Sequence, residues 1–294
     1  MRWRGNACLL AAAFIWGTTF VAQSVGMERL GPFTYGAARF FLGMLALLAL
    51  WLTVGGHRRR DEAVRSFRVG AAAGCLMFAA SALQQYGMLY TTVGKASFLT
   101  CLYLIFVPLA GVFLRHRIRA EHWTGAVLAV AGLYFLCVTD GLSLGRGDAM
   151  ELCCAFFWTA HILFIDRYAA KAEAVAMSLA QVVVVFLLNT ATAAIFETAR
   201  AADITAAWFS LFYAGVLSTG VAFTLQIVGQ RTAAPAPAAV IMSLESVFGA
   251  LAGWLVLGES LSVREILGCA LMGTGMLVSQ AGGYAMAFWK KRGA

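Results

Sequence analysis

Ala11-Ala12-Ala13-Phe14-Ile15-Trp16 returns 142 positions later as Cys153-Cys154-Ala155-Phe156-Phe157-Trp158. In both places small residues lead into aromatics and end on a tryptophan. The same offset lays Ala38-Arg39 over Ala180-Gln181, and an offset of 141 lays Gln85 over Gln226. The 294 residues therefore read as two similar halves, 1–143 and 144–294.

Composition says what each half is made of. Apolar residues make up 61% of the chain and charged residues 12%, with a mean hydropathy of +0.80. A soluble globule carries roughly 45–50% and about 25%, so a chain of this size in water could not hide its apolar surface. A helix needs about 20 apolar residues to cross the hydrocarbon core. Such stretches occur ten times, at 6–26, 32–53, 69–89, 94–114, 122–139, 149–166, 174–195, 206–228, 236–257 and 264–287. Five spans per half is an odd number, so the second half enters the membrane from the opposite side. The expected fold is an all-α integral membrane protein. Its ten transmembrane helices form two inverted five-helix repeats, as in many secondary transporters.

Met1-Arg2-Trp3-Arg4 is a basic start, but the span after it carries Trp16, Thr18, Thr19 and Gln23, and nine more follow. It reads as a retained helix, not a signal peptide. Lys and Arg set the orientation. The N-terminus, the even-numbered loops and the C-terminus hold 16 of them, chiefly Arg58–Arg68, Arg115–Arg119 and Lys290–Arg292. The other side holds Arg29, Lys95, Arg146, Arg200 and Arg264. Both termini are expected in the cytoplasm of a multi-pass protein of the plasma membrane, here a bacterial inner membrane. The net charge of +8 is then a topology signal beside anionic lipid, not a nucleic-acid footprint. The seven cysteines lie within apolar stretches without C-x-x-C spacing and read as packing residues.

These residues also resemble a known family. Trp16-Gly17-Thr18-Thr19-Phe20 is similar to the first-helix signature of the EamA-type transporters, within the drug/metabolite transporter superfamily. So are Pro32 with Ala38-Arg39-Phe40, and Gly94-Lys95-Ala96-Ser97-Phe98-Leu99 leading to Pro108. Ser243-Leu244-Glu245 through Leu257-Gly258-Glu259 resembles the ninth helix of that family. Ser246 stands where the family often has proline, and Leu114-Arg115-His116 replaces the L-G-E in the first half. The resemblance implies two five-helix repeats and small-metabolite transport.

Polar residues at helical spacing mark faces that could line a pathway. Helix one offers Trp16, Thr19, Phe20 and Gln23; helix three offers Ser81, Gln84, Gln85 and Met88. Helix four offers Ser97, Thr100 and Tyr103, and helix six Trp158 and His161. Helix eight offers Thr219, Phe223, Gln226 and Gln230, and helix nine Met242, Glu245, Ser246 and Gly249. The same residue types also serve as glue between helices. Helices five and ten carry glycines instead and read as packing helices. A cavity of amides, hydroxyls and aromatics suits small amphipathic solutes, amino acids foremost.

Ionisable groups at membrane depth are functional hypotheses by default. Glu245 reads as a proton-coupling group, as a partner for a substrate ammonium, or as a carboxyl that ties helices together. Arg39 reads as a structural residue within snorkelling reach of the interface. Lys95 reads as an external gate or a carboxylate contact, Glu151 as a group near an external helix end, and His161 as a hydrogen-bonding cavity residue. The sequence holds no metal-ligand set, no nucleotide loop and no hydrolase motif. Enzyme chemistry, cofactors and nucleic acid are not expected. The expected partners are a small-molecule substrate and membrane lipid. A monomer is expected, although Gly249-x-x-x-Gly253 and Gly70-x-x-x-Gly74 could pair two copies. The expected function is secondary transport of small metabolites by alternating access; the alternative is a lipid or glycolipid flippase.

Overall fold

Long runs of Leu, Ala, Val and Phe without interrupting charge leave the backbone one economical way to pair its N–H and C=O groups, the α-helix. The computed structural model describes residues 2–54, 60–91, 93–114, 118–138, 145–198, 200–258 and 260–292, and no strand occurs among them. The helices are α1 (Arg2–Met27), α2 (Pro32–Val54), α3 (Arg60–Gly87), α4 (Val93–Cys101), α5 (Tyr103–Phe113), α6 (Ala120–Cys137), α7 (Arg146–Ala169) and α8 (Ala174–Phe196). Then follow α9 (Ala201–Ala206), α10 (Trp208–Phe212), α11 (Phe223–Gln230), α12 (Pro235–Met242), α13 (Glu245–Ala252) and α14 (Val263–Arg292). Two stretches of wider π-helical winding, Tyr213–Ala222 and Gly253–Leu257, continue α10 into α11 and extend α13. Gly258 ends the second in the left-handed region, at φ 70°, where glycine carries no Cβ penalty.

Among the described residues, eight helical stretches are long and apolar enough to cross a membrane. The sequence reading counts ten. The two others are the stretch of α4 and α5, broken in its middle, and the 30-residue α14.

The break between α4 and α5 falls at Leu102, and a second one, between α12 and α13, ends at Leu244. They are 142 positions apart, the offset that relates the two tryptophan stretches. Both use the same tight turn: the Leu102 N–H reaches the Leu99 carbonyl, and the Leu244 N–H reaches the Ile241 carbonyl, each at 3.2 Å. The shorter i→i−3 bond keeps the backbone paired where the α ladder stops. Packing repeats at the same offset. α1 lies on α12 and α13 as α7 lies on α4 and α5, and α2 packs on the Tyr213–Ala222 winding as α8 packs on α3. The strongest packings join elements of residues 2–137 to elements of residues 146–292; contacts within either set are slighter.

Polar side chains are kept inside, among apolar clusters, and the outer surface is oily. Phe113, Ile195, Phe196, Leu255 and Val256 are each more than two-thirds exposed, a surface for lipid chains. Gln23, Arg39, Gln85, Glu151, His161, Gln181 and Gln226 are buried. At the helix ends, carboxylates close open backbone. Glu197 takes the N–H groups of Phe33 and Thr34 at 3.0 and 2.7 Å, and Glu173 caps α8 through Val175 and Ala176 at 2.9 and 2.6 Å.

The most extensive packing among the described helices is that of α6 with α14, seated glycine to glycine. A Cβ on Gly132 would lie 2.5 Å from the Gly268 carbonyl oxygen, and one on Gly125 would lie 2.6 Å from that of Gly275. Without side chains between them, the backbones meet at van der Waals distance. Gly132→Leu must push α14 away and should cost about 1–3 kcal/mol. Gly273→Leu, at a position with no neighbour within 4 Å, is the control. Thermal unfolding in detergent should separate the two, with a clear drop only for Gly132→Leu.

Candidate functional site

The helix faces meet around one central cavity. Trp16, Thr19, Phe20 and Gln23 line it from α1, Arg39 from α2, Gln84 from α3, and Thr100 and Tyr103 from either side of the first break. The facing wall is Trp158 and Ile162 of α7, Ser218, Phe223 and Gln226, then Met242 and Glu245 from either side of the second break. The space free of atoms is about 640 Å³, counted out to the open mouth of the cavity.

The two repeated tryptophans share one partner. Phe223 lies with its ring centre 5.0 Å from that of Trp16, and 6.2 Å from that of Trp158 in a stacked pair. His161 stands edge-on to Trp158 at 5.6 Å. Such aromatic contacts fix the rings and leave flat apolar walls.

At the breaks, Cys101, Tyr103, Glu245 and Ser246 gather into one cluster. The Tyr103 hydroxyl and the Cys101 thiol both donate to Glu245 Oε1, each at 3.5 Å, and Cys101 Sγ lies 3.5 Å from Ser246 Oγ. Contacts of this length hold the carboxyl only weakly. Gly17 makes the arrangement feasible: a Cβ there would collide with the Glu245 carbonyl and lie 2.6 Å from Phe248 Cβ. The glycine of the Trp-Gly-Thr-Thr stretch therefore seats the broken helix against α1.

Ten of the fifteen cavity candidates read from the sequence meet at the cavity wall: Trp16, Thr19, Phe20, Gln23, Gln84, Thr100, Tyr103, Trp158, Gln226 and Glu245. Five others are buried but turned toward neighbouring helices or their own backbone. Ser81 bonds the Phe78 carbonyl and Thr219 the Ala214 carbonyl. His161 Nε2 donates to Gln181 Oε1 at 3.1 Å, Ser246 touches Cys101, and Gln85 lies beside Gly36. The side chain of Lys95 lies outside the described residues.

The structure adds residues that the stripes did not single out for the site. Phe223 and Met242 stand on the stripes of their helices; Ile162 and Ser218 gave no signal. Arg39, read as an interfacial residue, is instead 7% exposed and faces the cavity. Glu151, read as lying near a helix end, is fully buried. Its Oε2 accepts the Thr100 hydroxyl at 2.8 Å, and Gln84 Nε2 lies 3.4 Å from Thr100 Oγ1. A polar chain thus runs from the cavity wall to a carboxyl behind it.

The arrangement offers amide, hydroxyl, carboxyl and guanidinium groups between aromatic faces. No cluster of three or more His, Cys, Asp or Glu fit to hold a metal occurs among the described residues.

A model of the EamA-like transporter family matches residues 3–138 and again residues 145–280. The chain belongs to the EamA-like transporter family. This EamA-like chain is 30% identical to an uncharacterized transporter of Archaeoglobus fulgidus over 265 residues, 90% of this chain and 82% of the other. It is also 30% identical over 291 residues to YwfM, an uncharacterized transporter of Bacillus subtilis, covering 93% of this chain and 92% of that one. A crystal structure with 18% identity superposes at a TM-score of 0.83, over 97% of this chain and 99% of the other, which shows the fold alone. The protein is a multi-pass membrane transporter of the plasma membrane.

Among the described residues, Thr100 is the side chain that donates to the buried Glu151 carboxyl. Thr100→Val removes that donor and leaves the carboxyl oxygen unpaired, which should cost about 1–3 kcal/mol. Thr100→Ser keeps the hydroxyl and should unfold close to the parent temperature. Equal unfolding temperatures for the two variants would dissociate Glu151 from stability.

Proposed function

We propose that the protein is a secondary transporter that exports or exchanges small amphipathic metabolites, amino acids foremost, through this cavity. The observation that carries the reading is the cavity itself. Two related sets of helices converge on it, with a broken helix from each side and one carboxyl between aromatic walls. Discontinuous helices at the meeting of two repeats are where secondary transporters hold substrate. The amide, hydroxyl, charged and aromatic lining favours a small amphipathic metabolite over a lipid.

In this reading α4–α5 and α14 cross the bilayer as well, giving ten spans in two inverted five-helix repeats, 1–143 and 144–294. The recurrence of breaks and packings at one offset supports it. The excess of Lys and Arg on one side supports cytoplasmic termini. The protein works as a monomer, and the two repeats rock against each other around the fixed cavity. Purified protein in proteoliposomes should exchange amino acids in counterflow. No exchange across a panel of amino acids would remove them as the substrate class.

Topology has its own test. Single cysteines introduced at Gly145 and Gly283 should label from the outside and from the inside respectively. Labelling from the same side would contradict an odd number of spans per repeat.

Glu245→Gln tests the carboxyl. The amide keeps the shape and the hydrogen bonds of a protonated Glu but cannot titrate. The variant should fold with an unchanged unfolding temperature and lose at least tenfold in either exchange or uptake driven by a pH gradient. Loss in the gradient assay alone assigns proton coupling, and loss in both assigns substrate contact. Parental transport and pH response in the variant would leave Glu245 a structural residue.

A further inference from the structure

Arg39 is a permanent cation inside the membrane, and among the described residues no carboxylate neutralises it. Guanidinium stays protonated at any relevant pH. Its side chain is 7% exposed and lines the central cavity. Arg39 donates from Nη1 to Gln23 Oε1 at 3.1 Å, and the guanidinium carbon lies 4.8 Å from the ring centre of Phe40. Nε is buried with no partner. Among the described residues no carboxylate forms an ion pair with it. A buried charge of this kind is strongly unfavourable unless an anion completes it.

The repeat supplies an internal comparison. At the offset of 142, Arg39 corresponds to Gln181 and Thr19 to His161. There the structure places Gln181, whose Oε1 accepts from His161 Nε2, buried and turned away from the cavity. Packing at this position of the fold therefore needs no charge. The first repeat keeps the charge and points it at the solute space. Among the described residues Arg39 is the one cation in the cavity wall, which matches a monoanion better than a dianionic phosphate.

We infer that Arg39 is the substrate anchor, its guanidinium binding a carboxylate of the transported solute. The planar fork offers paired N–H donors to the two carboxylate oxygens, and Gln23 holds the fork in orientation. The inference rests on the transporter reading and specifies it: the solute carries one carboxylate, bound at the α1–α2 wall. Trp16, Phe20 and Trp158 remain for its apolar part. For an amino acid, the cavity face of Glu245 remains for the ammonium.

The test uses matched pairs of carboxylates and amides on the purified full-length protein in nanodiscs, read as ligand-dependent thermal stabilisation. The probes are leucine with leucinamide, and isovalerate with isovaleramide. In the parent protein at least one carboxylate should stabilise, and its amide should bind about thirtyfold more weakly or worse, as for the loss of a buried charge pair. Arg39→Gln keeps a hydrogen-bonding head and removes the charge; it should bind the acid and the amide of each pair alike. Arg39→Lys keeps the charge without the fork and should retain part of the preference. If Arg39→Gln does not fold, Arg39→Lys and the parent pairs still decide. Stabilisation by isovalerate but not leucine would uphold the anchor and overturn the amino-acid assignment. An amide binding as well as its carboxylate in the parent, an undiminished preference in Arg39→Gln, or no carboxylate binding at all would each overturn the anchor.

Discussion

In hydrocarbon no water stands ready to accept a hydrogen bond, so a backbone can leave the α-helix only where protein re-pairs it. This constraint explains where the irregular segments lie. The tight turns at Leu102 and Leu244 keep their N–H groups bonded and sit within the bundle, with Cys101, Tyr103, Glu245 and Ser246 around them. The Tyr213–Ala222 winding leads into Phe223 and Gln226 of the cavity wall. Departures from regular helix and polar side chains occur together because each makes the other tolerable. The exception is the Gly253–Leu257 winding, whose Leu255 and Val256 face outward; elsewhere outside that zone the described helices are regular and their outward faces are apolar.

Much of this was legible in the sequence. Hydropathy gave the helices because bilayer thickness sets their length, and the tryptophan stretches gave the repeat because both copies pack against one ring, Phe223. What stayed hidden was direction. A polar stripe tells which residues share a face, not whether that face looks at solute or at another helix. Gln84 and Gln85 are adjacent, yet one lines the cavity and the other lies beside Gly36. Depth was also insufficient for Arg39 and Glu151, since an apolar window cannot tell an interfacial end from an internal wall. The break at Leu102 has neither proline nor glycine at its centre, and only its tertiary position against Glu245 marks it.

The halves share a fold but not their polar chemistry. Arg39 is matched by Gln181, Thr19 by His161, and Tyr103 by Glu245 at the same offset. Matched backbones with unlike side chains give a cavity whose two walls differ in charge and hydrogen bonding. A solute with distinct ends meets a distinct surface at each, which a symmetric site could not offer.

The interleaving of the two sets of helices bears on how the chain is built into a membrane. α1 finds its main seats on α11 to α13, and α2 and α3 find theirs on α8 and α7. Chains lengthen from the N-terminus at about 5–20 residues per second. The early helices therefore wait in the bilayer for tens of seconds at the slower rate before their partners exist. During that interval Arg39 and Gln85 must be shielded by neighbours, interfacial water or an insertion machinery rather than by their final contacts. Assembly of this transporter is thus a late event in its synthesis. A chain released halfway would carry charge and amides in its spans with no native surface to cover them, a ready mark for degradation.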